Sequence, residues 1–105
     1  MHTEVKTYQV YFFGGPDGLW TNRSKIALRG SSSKVLAHIN FNDPDMKFEN
    51  DSESDGIIKM HLPSTMFENV IDVLRNEKPV YIQFVHGHGV LQTSLEPVGE
   101  GEEKV

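Results

Sequence analysis

Only one stretch of this chain, residues 65–76, repeats its apolar side chains at the interval of an α-helix. Phe67, Val70, Ile71 and Leu74 fall at i, i+3, i+4 and i+7 and make a single stripe. Thr65 with Glu68 three residues later fits a capping box, and Pro63 stands just upstream. A helix of three turns spans only about 17 Å, whereas neighbouring strands stand about 4.8 Å apart. One such helix cannot cover all the strands that the rest of the sequence predicts, and this mismatch limits the folds open to the chain.

The strands are read from period two. Residues 5–13 put Tyr8, Val10 and Phe12 on one face and Val5, Tyr11 and Phe13 on the other, the pattern of a central strand. Gly14-Gly15-Pro16-Asp17-Gly18 is a turn, and a second strand is predicted over residues 19–29. After Gly30-Ser31-Ser32-Ser33, residues 35–41 alternate Val35, Ala37, Ile39 and Phe41 with Leu36, His38 and Asn40. Residues 42–55 are polar, rich in acid and contain Pro44, so a loop is expected. Residues 57–62 resume as a strand with Ile58, Met60 and Leu62 toward the core. Beyond the helix, residues 80–85 and 90–95 form a hairpin turned by His86-Gly87-His88-Gly89.

The predicted fold is therefore α+β: an antiparallel sheet of five to six strands in the order ββββαββ, curled around or packed on the single helix as a half-barrel. Because the helix is too small to bury every apolar strand face, a second copy of the chain is expected to help, and a homodimer is the simplest closed assembly.

The 105 residues suit one domain, residues 1–95, followed by an acidic tail, 96–105, whose charge and lack of periodicity predict disorder. The absence of cysteine excludes disulfides, cysteine-ligated zinc, iron–sulfur clusters and thiol nucleophiles. Without a long apolar run or a leader-like N-terminus, a cytoplasmic protein with no membrane partner is expected. A net charge of -5 argues against non-specific binding to nucleic acid or anionic lipid, although local patches can depart from the average.

Four groups of residues carry candidate chemistry. Asp51-Ser52-Glu53-Ser54-Asp55-Gly56-Ile57-Ile58 resembles the opening of an EF-hand calcium loop, but Leu62 stands where that family has its bidentate Glu. A solvated turn is the plainer reading. His86 and His88, with His38 or His61 from neighbouring strands, have the side chains for a three-His metal site, against a simple hairpin with histidines in water. Neither pattern is sufficient to assign a metal, and no cofactor is assigned.

The third group is a charge segregation. Residues 21–34 carry Arg23, Lys25, Arg29 and Lys34 without an acid, while residues 42–55 hold six acids against Lys47. Arg23, Lys25 and Arg29 share one strand face, and with Trp20, Tyr8 and Tyr11 nearby they have the makings of a platform for single-stranded nucleic acid, against the plainer reading of a solvated strand face or one half of a self-association surface, which the low lysine content favours. The fourth is a small-molecule pocket or small active site between sheet and helix, lined by Tyr8, His38, His61 and Tyr81. No Gly-x-Ser-x-Gly elbow is present, and Gly30-Ser31-Ser32-Ser33-Lys34 lacks the spacing of a P-loop. The leading expectation is a non-enzymatic binding or interaction domain, with protein or small-molecule ligands and a homodimeric state.

Overall fold

Lys6 divides the predicted first strand, and the two pieces join different sheets. In the computed structural model, which describes residues 2–99, Thr3–Val5 (β1) and Thr7–Phe12 (β2) are followed by Ser24–Arg29 (β3) and Val35–Asn42 (β4). Ser52–Ser54 (β5), Ile57–Pro63 (β6), Phe67–Asn76 (α1), Val80–Val85 (β7) and His88–Thr93 (β8) complete the order. Most of the acidic tail expected to be disordered lies outside the described residues.

The fold is α+β, with two sheets and one helix. The smaller sheet is antiparallel in the order β1-β7-β8; the larger is mixed, in the order β2-β3-β4-β6-β5. Its one parallel pair, β4 with β6, corrects the expectation of a single antiparallel sheet. The cause lies in the segment read as a loop. Asp55 and Gly56, both at positive φ, make a tight turn that folds β5 back on β6. Residues 43–51 carry the chain past β6 to its far side, so β6 returns alongside β4 in the same direction.

One face of the larger sheet is the core. The register aligns Val10, Ile26, Ile39 and Met60 across four strands, and beside them Tyr8, Leu28, Ala37 and Ile58. Ile26, Leu28, Ile39 and Phe41 are fully buried, each contributing about 1.5–3 kcal/mol by transfer from water. The predicted helix stripe packs on this face: Val70 is buried, and Phe67, Ile71 and Leu74 lie against the same cluster. So do Ile82, Phe84 and Leu91 from β7 and β8. The cover that one helix cannot supply thus comes from the chain's own second sheet.

The helix begins later than expected. Ser64–Met66 form a 3-10 turn, Met66 is the N-cap, and no side chain caps the first turn, so the Thr65–Glu68 box does not form. The second predicted strand is also shorter, because residues 19–22 close into a tight turn before β3 begins.

Candidate functional site

The other face of the larger sheet is polar, and its register builds a site from four strands. One row runs Tyr11, Lys25, Asn40, His61; the next runs Gln9, Ala27, His38, Lys59. Two loops rise over these rows, residues 13–22 and 43–51. Together they enclose a cavity of about 440 Å³ lined by Phe13, Trp20, Lys25, His38, Lys59 and His61, with Asn22, Asn40, Lys47 and Glu49 completing the wall.

The loops are held in place by Asn42, which the sequence does not mark, and by Arg23, which was expected on a ligand-binding face. Asn42, only 1 % exposed, donates its Nδ2 hydrogens toward the Thr21 carbonyl (2.6 Å), the Asn22 Oδ1 (3.1 Å) and the Lys47 carbonyl (3.3 Å), so one buried amide fastens both loops. Arg23 braces the first loop from the other side. Its guanidinium donates to the carbonyls of Phe13 (2.8 Å), Gly15 (2.8 Å) and Pro16 (3.2 Å) and to the Asp43 carboxylate (2.9 Å). The same contact, with the Ser64 hydroxyl, holds the Asp43 carboxyl below its ordinary range. Gly18 is required here as well: at its positive φ a Cβ would stand 2.1 Å from the Asn22 carbonyl oxygen.

At the tip of that loop Trp20 and Thr21 both have positive φ, 53° and 63°, between paired Leu19 and Asn22. The left-handed region is disfavoured for bulky residues, at roughly 1–2 kcal/mol each. Trp20 nevertheless stands 82 % exposed at the cavity mouth, where burial cannot repay the strain. Strain of this kind concentrates at binding sites.

The floor is electrostatically uneven. Among the described residues, Lys25, Lys47 and Lys59 face the cavity against one carboxylate, Glu49. Burial, reinforced by the positive charges of Lys25, Arg29 and Lys59, pushes the His38 imidazole below its ordinary range. Burial also lowers His61, with Asp51 and Glu49 opposing and Lys59 assisting. Both imidazoles are thereby held neutral near pH 7. Among the described residues His38 Nδ1 and both ring nitrogens of His61 are buried without a hydrogen-bond partner. Unpaired buried nitrogens are costly to fold, and a ligand reaches them only when the side chains that cover them move aside.

Of the expected site residues, Trp20, Lys25, His38 and His61 meet in this cavity. Tyr11 adjoins it, with the Lys25 ammonium 4.8 Å from its ring centroid. Arg29 shares the face but donates to the Ser33 carbonyl (3.1 Å). The remaining expectations are corrected. Arg23 is spent on the loop and does not present a free charge. Tyr8 packs on the core face, and Tyr81 sits in the other sheet with its ring against His2, so neither lines a pocket with His38 and His61. That pair does share a cavity, on the sheet face away from the helix.

His86 and Gly87, at positive φ, form the two-residue turn between β7 and β8, with His86 and His88 both exposed and neither lining the cavity. The EF-hand resemblance dissolves as well. The Asp51 carboxylate accepts from the backbone of His61 (2.8 Å) and Gly89 (2.9 Å), tying the two sheets together, while Asp55 turns the hairpin. No three metal-ligating side chains gather among the described residues.

The sequence reading missed Asn40, Lys59, Lys47 and Asn42. Alternate polar residues on two strands, His38-Asn40-Asn42 and Lys59-His61, were the available signal, but their convergence depends on β4 and β6 being neighbours. Among the described residues no helix is long and apolar enough to cross a membrane. Comparison with protein-family models, curated proteins and solved structures finds no match to this chain.

Proposed function

We propose that the chain is a binding module for an anionic ligand, held on the polar face of the larger sheet. The observation that carries this reading is the convergence of three lysines on neutral imidazoles with unpaired ring nitrogens, beneath an exposed tryptophan. An anion satisfies the lysines directly, and its charge stabilises the protonated form of a neighbouring imidazole. Among the described residues that line the cavity none is a nucleophile hydrogen-bonded to a base, so binding is the better-supported role.

The test is isothermal titration with inorganic phosphate at low ionic strength, on the wild-type chain and on the Lys25→Ala/Lys59→Ala pair. Saturable binding that the double substitution weakens at least tenfold supports the reading. Absence of binding at millimolar phosphate, or binding indifferent to both lysines, refutes it.

A homodimer is favoured by a separate observation. β2 is an edge strand of six residues without a charged side chain, and its last residue, Phe12, is 72 % exposed. Such edges recruit another strand unless charge or proline guards them. Antiparallel pairing of two β2 strands across a two-fold axis would continue the sheet between copies. Sedimentation across concentration should then show a dimer that Gln9→Lys/Phe12→Lys converts to monomer; a wild-type monomer at 100 μM (order of magnitude for a weak interface) rejects the pairing.

A further inference from the structure

The anion site does not end at the cavity wall. Tyr11 and Phe13 project from the same face, their rings 6.4 Å apart and inclined by only 23°, with Lys25 over the Tyr11 ring. Phe13 lines the cavity and Tyr11 lies one position outside it, so aromatic surface leads from the Trp20 turn toward the sheet edge. Lys25, Lys47 and Lys59 line the cavity, Arg29 lies further along the same sheet face, and Glu49 is the one carboxylate that lines the cavity among the described residues. The chain's net charge of -5 is not that of the cavity floor, which carries lysines, while Glu49 and Asp51 stand on the 43–51 loop above it.

From this arrangement, and resting on the anion-binding reading above, we infer that the ligand is a single-stranded nucleic acid. One nucleotide occupies the cavity, with its base against Trp20 and its phosphate among Lys25, Lys47 and Lys59, and the neighbouring base stacks on Tyr11. Four strands at about 4.8 Å separation give a track of about 14 Å, which suits about two or three bases on a sheet of this width. Stacking explains why a tryptophan is kept exposed on a strained turn, and why the aromatics lie beside cations on a solvent-facing sheet. A free small anion needs neither Tyr11 nor the exposed indole. Within the cavity the Asn22 and Asn40 amides and the Glu49 carboxylate supply donors and acceptors for a base edge; a carboxylate accepts from an exocyclic amino group.

The experiment is fluorescence anisotropy of a labelled ten-nucleotide single strand, DNA and RNA in separate titrations, with the full chain at low salt. Unlabelled competitors are a mononucleotide, inorganic phosphate, duplex DNA of equal length and heparin. The expected result is that at least one single strand binds at least tenfold more tightly than mononucleotide, duplex or heparin, with affinity falling as salt rises. Two variants test the stacking. Trp20→Gly removes the indole while suiting the positive φ, and Tyr11→Ala removes the outer plate; each should weaken the strand at least fivefold, with circular dichroism unchanged. Phosphate affinity, measured by titration calorimetry, should remain within twofold in Tyr11→Ala.

A strand that binds no better than mononucleotide or heparin, or that binds Tyr11→Ala and wild type equally, overturns the inference. If phosphate still binds through Lys25 and Lys59 in that case, the anion site survives and its ligand is a small molecule. If neither strand nor phosphate binds, both readings fall.

Discussion

Asn42 is the residue on which the architecture of the site depends most directly, and its replacement gives a worked prediction. Asn42→Ala removes an amide that is 1 % exposed and bonded at 2.6, 3.1 and 3.3 Å to groups in both loops. Two net hydrogen bonds at about 0.5–1.5 kcal/mol each, plus the void left by the lost amide, give about 2–4 kcal/mol. For a domain whose total stability is about 5–15 kcal/mol, and at about 4–8 °C per kcal/mol, the melting temperature should fall by roughly 8–32 °C. Urea unfolding followed by circular dichroism measures the free energy directly. Asn42→Asp separates hydrogen bonding from packing, because it keeps the shape but places a carboxylate against the Thr21 and Lys47 carbonyls. It should cost at least as much as alanine near pH 7. Asn22→Ala, which removes only one of the three contacts, should cost under about 1.5 kcal/mol. A loss below about 1 kcal/mol for Asn42→Ala, or an Asp variant as stable as wild type, would show that the amide does not hold the loops.

Asp51 bridges the sheets through two backbone N–H groups, so Asp51→Ala should cost about 2–4 kcal/mol in urea unfolding. Asp51→Asn, which keeps one strong acceptor, should cost about half as much. Because this carboxylate is already committed, millimolar calcium should leave the melting temperature of the wild type unchanged, and a rise of several degrees would restore the calcium-loop reading. The histidines predict a pH dependence. His38 and His61 are lowered in the folded chain, so below about pH 6.5 the unfolded chain takes up protons that the folded chain does not. Stability should therefore decline as pH falls through 6.5 toward the lowered folded-state values, and be fully present above 6.5. A His38→Gln/His61→Gln variant should show a shallower decline between pH 7.5 and 5 in urea midpoints, and equal slopes would remove the two imidazoles as its source. Anion affinity should change in the opposite sense, strengthening on acidification as the imidazoles gain charge.

Period two along the chain was enough to identify which side chains share a strand face, because that alternation is a property of the extended backbone. The alternation of Ala37, Ile39 and Phe41, and of Ile58, Met60 and Leu62, placed these residues on the core side. The 3.6-residue stripe of Phe67, Val70, Ile71 and Leu74 likewise identified the helix and its buried face. Both periodicities are local, so the α+β class and the core could be read without tertiary information.

The candidate site could be read only in part. Trp20, Lys25, His38 and His61 were chosen for their chemistry, yet grouped with Tyr8, Arg23 and Tyr81, which the fold sends to the core, to a loop brace and to the other sheet. What decided between these fates was non-local: Lys6 passes the chain from one sheet to the other, and the Asp55-Gly56 turn makes β6 a parallel neighbour of β4. Strand adjacency and direction depend on contacts between residues far apart in sequence, which no local period encodes. The sequence by itself determined the helix, most of the strands and their buried faces, but not the break at Lys6 or the short strand β5. Only the tertiary structure brought Lys25, Asn40 and His61 into one row, because a row across a sheet exists only once its strands are paired.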